Sequence, residues 1–169
     1  MADAPITSAT LPNPSLGVGD VVPDFDLPSS FGGRVRLAAL HGKPFVLYFY
    51  PKADTSGCTA QAQAFQNGLD LAGKDPIPVI GISKDTLKAI DAFAKKYHLR
   101  FRLASDETGT MLEAFGVWVQ KSMYGRSYMG IERSTFLIGA DGRIAQVWRK
   151  VKVPGHADEV MKAAASLQR

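Results

Sequence analysis

The chain predicts an α/β fold, a mixed central β-sheet flanked by α-helices, and three observations carry that expectation. Two short, continuous apolar runs, FVLYFY at 45–50 and IPVIGIS at 77–83, have the length and composition of strands buried on both faces, the first closed by Pro51. Between them Cys58, Ala62, Phe65 and Leu69 recur at helical spacing, so the unit reads strand, helix, strand, with the two strands parallel. Further on, STFLI at 134–138 and RIAQVW at 143–148 flank Gly139-Ala140-Asp141-Gly142, which predicts an antiparallel hairpin and makes the sheet mixed.

The remaining elements fall between and around these. Leu87, Ile90, Ala94 and Tyr97 repeat the helical stripe over 86–97, with Asp85 placed to cap it. A short segment at 101–104 and a brief helix at 108–115 follow, and a last helix over 156–167 offers Val160, Ala163, Ala164 and Leu167 to the sheet. Residues 1–16, rich in Ala, Ser, Thr and Pro, read as a flexible leader, with order beginning near Val18; residues 17–169 form one domain. At 169 residues there is sequence enough for one full core.

Composition excludes several classes. Hydrophobic residues make up 46% and charged residues 21%, ordinary values that ask for neither disorder nor a coiled coil. No apolar run approaches the roughly 20 residues a bilayer requires, so no membrane partner is expected. The start, MADAPITSATLPNPSLG, lacks the basic then apolar pattern of a secretory signal, and one cysteine cannot staple the fold internally, so a reducing, cytoplasmic setting is expected. The net charge of +4 is uneven: residues 1–80 carry 5 basic and 7 acidic side chains, residues 81–169 carry 15 and 9. The basic residues are scattered among acids without clustered stacking aromatics, which argues for a solvated face and against nucleic acid.

The segment Pro51-Lys52-Ala53-Asp54-Thr55-Ser56-Gly57-Cys58 joins the C-terminal end of the first buried strand to the start of the first helix, where open α/β sheets collect ligands. Free N–H groups and the helix dipole there favour a thiolate, the nucleophilic form of cysteine. The same spacing also puts Cys58 on the inward stripe of the helix, where an inert buried thiol is equally ordinary. His41, His98 and His156 show no metal spacing and suit surface or capping positions. Trp118, Met123, Tyr124, Tyr128 and Met129 form an aromatic and methionine-rich stretch; core packing is expected to absorb at least half of them, the rest bordering a pocket or an association surface.

PKADTSGC followed by Thr59, Ala60 and Gln61 resembles the active-site motif of the peroxiredoxins, and FVLYFYPKADTSGCTAQ is similar to their bacterioferritin-comigratory, or Q-type, subfamily. GVGDVVPDFDL, VIGISKD, LRFRLASDETG, FGVW, MYGRSYMGIERSTFLI and LIGADGRI extend the likeness over roughly residues 16–168. The resemblance implies a thioredoxin-like fold and a thiol-dependent hydroperoxide reductase needing no metal or organic cofactor. It also implies roles: Cys58 as the peroxidatic nucleophile, Thr55 aligning the peroxide oxygens, and Arg133 stabilising both the thiolate and the departing oxygen. Pro51 would shield the sulfur from water and Gln61 would hold the arginine. Without the family, Thr55 reads as a helix-cap residue, Pro51 as a strand terminator and Arg133 as a surface arginine.

Many members of that subfamily carry a resolving cysteine five residues after the first, where this chain has Gln63. Oxidised Cys58 then needs an external thiol, such as thioredoxin, glutaredoxin or glutathione, and the chain is expected to act as a monomer or weak homodimer. Ser56 stands where many relatives have proline, which would loosen the helix entrance.

Overall fold

The computed structural model describes residues 16–168. In chain order, β1 (Asp26–Pro28) and β2 (Arg34–Arg36) precede a 3-10 turn at Leu37–Leu40, then β3 (Phe45–Phe49), α1 (Ser56–Leu71), β4 (Val79–Ser83), α2 (Leu87–Lys96) and β5 (Arg102–Ser105). The chain continues through α3 (Thr110–Ala114), β6 (Trp118–Met123), β7 (Arg126–Ile131), β8 (Ser134–Ile138), β9 (Ile144–Trp148) and α4 (His156–Gln168). The central sheet has the order β5-β4-β3-β8-β9. β3, β4 and β5 pair in parallel, whereas β8 pairs antiparallel with β3 and β9. This is the expected mixed sheet.

All five residues of β3, β4 and β8 are buried, because both faces of the sheet are covered. Along β3 the side chains alternate between two cores. Phe45, Leu47 and Phe49 join Ile80, Ile82, Phe136 and Ile138 under α3, the 3-10 turn and the N-terminal Leu16, Val22 and Phe25. Val46, Tyr48 and Tyr50 face the other way, onto Cys58, Ala62 and Phe65 of α1, Ile90 and Phe93 of α2, and Val160 and Ala164 of α4.

Two glycines set this second core. A Cβ at Gly68 would lie 3.0 Å from Met161 Cγ, so its absence lets α1 approach α4 closely. A Cβ at Gly81, in β4, would lie 2.8 Å from both Leu103 Cδ2 and the Tyr48 ring. Gly81→Ala is therefore expected to destabilise by about 1 to 3 kcal/mol through overpacking, roughly a 3 to 10 °C fall in Tm. An unchanged Tm by calorimetry would show that the Tyr48 ring can move aside.

Several expectations need correction. The cap of α2 is Thr86, whose hydroxyl accepts from the Ala89 N–H; the Asp85 carboxylate is occupied by Ala53 N–H and Ser83 Oγ. Leu167 is exposed, the inward residues of α4 being Ala157, Val160 and Ala164. His156 is buried: it opens α4, packs edge-on against Phe65 and Trp148, and bonds Thr135 Oγ1 through Nε2 at 2.7 Å. The stretch expected to be half core is instead a separate two-stranded ribbon, β6 paired with β7, with Met123, Tyr124, Tyr128 and Met129 all exposed. Of the expected leader, residues 1–15 lie outside the described residues; Leu16 is buried and its carbonyl accepts from Arg149.

Candidate active site

The site forms where β3 gives way to α1. After Tyr50 the chain turns through Asp54 in the left-handed region (φ 62°) and enters the helix at Thr55, the N-cap residue. Two anchors hold this turn. Ala53 N–H donates to Asp85 at 2.8 Å, and the Asp54 carboxylate accepts from Lys96 Nζ at 2.9 Å and from the Tyr97 hydroxyl. The latter two bonds hold the Asp54 carboxyl below its ordinary range, Tyr97 being the larger cause. Nothing local in the sequence identifies Asp85, Lys96 and Tyr97 as site residues; their contribution depends on how the β4–α2 loop and the end of α2 fold against the turn.

Cys58 is the third residue of α1 and is 1% exposed, in the second core beside Tyr48, Tyr50, Ala62 and Phe65. Arg133 reaches it from the other side of β3. The register pairs Phe49 with Ser134, so the residue before β8 emerges beside the end of β3, next to the first turn of α1. Its Nη2 donates to Cys58 Sγ at 3.4 Å and its Nη1 to Gln61 Oε1 at 2.6 Å. Gly57 borders the guanidinium: a Cβ there would lie 3.4 Å from Nη2, in van der Waals contact.

Thr55 is exposed and makes no side-chain cap bond; its hydroxyl donates to the Lys52 carbonyl at 2.9 Å. Pro51 is exposed at the end of the strand, and Ser56 is the first residue of α1, a position that tolerates proline. Gln63 is exposed on α1. Around the sulfur, the hydroxyls of Tyr48, Tyr50 and Thr59 and the amide nitrogen of Gln61 are buried without a hydrogen-bond partner among the described residues. Burial, reinforced by Tyr50 and Cys58 at Tyr48 and by Asp85 and Cys58 at Tyr50, raises both tyrosines well above the ordinary phenol value, so they remain neutral. Lys121 of β6, which the sequence did not single out, is lowered by burial and by Arg133, with Glu132 and Cys58 opposing.

Burial lowers the pKa of His156 from the ordinary 6.5, with Glu159 opposing and the positive charge of Arg133 adding a smaller push in the same direction. A depressed histidine pKa means that the unfolded chain takes up the proton first, so the stability His156 contributes is complete above about 6.5 and is lost as pH falls below it. Urea midpoints should therefore drop between pH 7 and pH 5, and His156→Asn should flatten that limb. An equal drop in the variant would assign the acid sensitivity elsewhere.

A three-layer α/β fold with a buried thiol in the first turn of a helix, hydrogen-bonded to a guanidinium, defines a thioredoxin-like protein built for thiol chemistry. The AhpC/TSA family matches residues 18–147. A putative peroxiredoxin bcp of Coxiella burnetii is 48% identical over 147 residues, 87% of this chain and 97% of that protein. The solved Xylella fastidiosa PrxQ, as a cysteine-to-serine mutant, superimposes with TM-score 0.83 at 37% identity, covering 89% of this chain and 96% of that one. The bacterioferritin comigratory protein of Xanthomonas campestris, solved in trapped intermediate and ligand complexes bearing on its alkyl peroxide reduction, gives TM-score 0.77 at 40% identity over 86% and 92% of the two chains. The chain belongs to the AhpC/TSA family, among its Bcp or Q-type peroxiredoxins.

Proposed function

We propose that Cys58 is the peroxidatic thiol of this thiol-dependent peroxidase and that the chain works by a one-cysteine mechanism. The observation that carries it is the guanidinium of Arg133 set between Cys58 Sγ and Gln61 Oε1. The thiolate attacks the terminal oxygen of a hydroperoxide; the S–O bond forms as the O–O bond breaks, and hydroxide or alkoxide leaves and takes up a proton to give water or alcohol. Arg133 stabilises negative charge first on the sulfur and then on the departing oxygen, while Gln61 fixes the plane of its fork. With its own proton committed to the Lys52 carbonyl, Thr55 presents its oxygen as an acceptor for the peroxide O–H, aligning the two oxygens with the sulfur. Pro51 caps the sulfur against water.

Hydrogen peroxide and organic hydroperoxides both suit this chemistry. Cys58 ends as a sulfenic acid, and as the chain's only cysteine it depends on an outside thiol for return. Thioredoxin, glutaredoxin or glutathione would serve in a cytoplasmic, reducing setting, with the enzyme a monomer or weak homodimer. No helix among the described residues is long and apolar enough to cross a membrane.

Stopped-flow mixing of reduced protein with hydrogen peroxide and with cumene hydroperoxide, with the sulfenic acid trapped by dimedone for mass spectrometry, tests the proposal. Fast stoichiometric oxidation at Cys58, slowed at least tenfold in Thr55→Val, is the expected result. Oxidation no faster than that of free cysteine would overturn it.

A further inference from the structure

The ribbon formed by β6 and β7 is more apolar than its exposure requires. Met123, Tyr124 and Tyr128 are 54%, 96% and 44% exposed. The last cross-strand pair is Met123 with Arg126, leaving Tyr124-Gly125 as a two-residue turn with both φ values positive, 53° and 76°. Such a turn favours Asn, Asp or Gly at its first position, and a tyrosine there is strained. At 96% exposure the ring returns nothing to the core for that strain, which is the pattern of a side chain kept for contact.

Pairing also defines a face. Lys121 stands opposite Tyr128 and Met123 opposite Arg126, so these four point to one side of the ribbon, with Tyr124 at its tip. Gly130 lies on the same side and clears it: a Cβ there would come within 3.3 Å of Lys121 Cδ. The ribbon rises beside the active site: its root, Ile131, is two residues from Arg133, and there Glu132 N–H donates to the Val117 carbonyl at 2.8 Å.

We propose that this face docks the protein thiol that reduces oxidised Cys58, a partner whose reactive cysteine is ringed by acidic and apolar side chains; the inference rests on the peroxidase function proposed above. Residues 117–131 contain Lys121 and Arg126 and no carboxylate, which complements an anionic rim. A second copy meeting the face symmetrically would oppose like charges. A six-residue strand spans roughly 20 Å, more than the reacting end of a small hydroperoxide needs. In the docked pair the partner thiol condenses with the Cys58 sulfenic acid, giving a mixed disulfide and water. The partner's second thiol then attacks its own sulfur in that disulfide, releasing Cys58 as a thiol and leaving the partner oxidised by two electrons.

The test separates the two half-reactions. Protein oxidised to the sulfenic acid by one equivalent of hydrogen peroxide is mixed with thioredoxin, glutaredoxin or dithiothreitol, for wild type, Tyr124→Asn and Arg126→Glu. Asparagine relieves the strained turn, so a defect in Tyr124→Asn cannot come from unfolding, and its Tm should equal or exceed that of wild type. Expected are at least a tenfold loss in the rate constant with the better protein reductant for each variant, an Arg126→Glu loss that shrinks at high salt, and an unchanged dithiothreitol rate. The inference is overturned if wild type is reduced by both proteins no faster than by dithiothreitol, or if the variants keep wild-type rates. It is equally overturned if only the KM for cumene hydroperoxide moves, or if the variants instead dissociate a dimer seen by sedimentation. Absence of sulfenic acid in the first step would refute the peroxidase proposal itself, a distinct outcome.

Discussion

Replacing Cys58 by serine is expected to bring hydroperoxide consumption down to the uncatalysed rate while leaving the fold in place. The chemical half follows from the nucleophile: a serine hydroxyl is far weaker than a thiolate, and no histidine is bonded to this position to activate it. The structural half follows from packing. Cys58 fills a small site between Tyr48, Tyr50 and Phe65, and serine is close to it in size. Burying a hydroxyl without a partner costs about 1 to 3 kcal/mol, but here Arg133 Nη2 stands ready to donate to the new oxygen. A Tm within a few degrees of wild type together with abolished consumption is the expected pair of measurements. Residual turnover above a tenth of wild type would mean that the reacting group is elsewhere.

Removing the guanidinium is the second large effect. Arg133→Gln is expected to lower the rate constant for Cys58 oxidation by about 10²- to 10³-fold, the usual loss when a donor aimed at developing negative charge is deleted. Arg133 contributes more than charge, since one fork holds both Sγ and Gln61 Oε1. Arg133→Lys keeps the charge but cannot make both bonds in one plane, so it should recover only part of the loss. Gln61→Leu should lose about tenfold, because the arginine keeps its charge but not its orientation. Stopped-flow rates from pH 5 to 9 distinguish charge from mere packing: the three variants should separate in that order at every pH, and equal rates for lysine and glutamine would discard the electrostatic role.

The parts of the fold that announce themselves in the sequence are those whose burial pattern is locally complete. FVLYFY reads as a central strand because the strand is covered on both faces, and the Cys58-Ala62-Phe65-Leu69 stripe reads as a helix because one side meets the sheet. The ribbon escapes such a reading because most of both its faces meets solvent, so no apolar and polar alternation develops; its one local signal is Tyr124-Gly125, and tyrosine is an unusual residue for that turn. β1 and β2 are three residues each and are held by distant partners, Arg102 donating to Ser29, Ser30 and Gly32. At the site, the order of residues from Pro51 to Cys58 is visible in one dimension. The meeting of Arg133 with Cys58, 75 residues apart in the chain, depends on the pairing of β3 with β8. Asp85 looked like a helix cap because an aspartate before a helix usually is one; its carboxylate was already claimed by the active-site turn.

The N-terminal stretch before β3 has a further consequence, for how this protein keeps to itself while it folds. On the β9 side, Gly19 N–H bonds the Ile144 carbonyl and Ile144 N–H the Asp20 carbonyl. On the β5 side, Ser30 N–H bonds the Leu103 carbonyl and Ser30 Oγ accepts from Leu103 N–H. One early piece of chain therefore seals the start of β9 and the Leu103–Ala104 part of β5, at the two margins of the central sheet. A nascent or nicked molecule lacking that seal would offer two open templates to any extended neighbour, the geometry from which fibrous aggregates grow. The same few residues that contribute little to catalysis thus guard the molecule's solubility, and cleavage ahead of Arg34 would endanger the concentration of usable enzyme before it touched the chemistry.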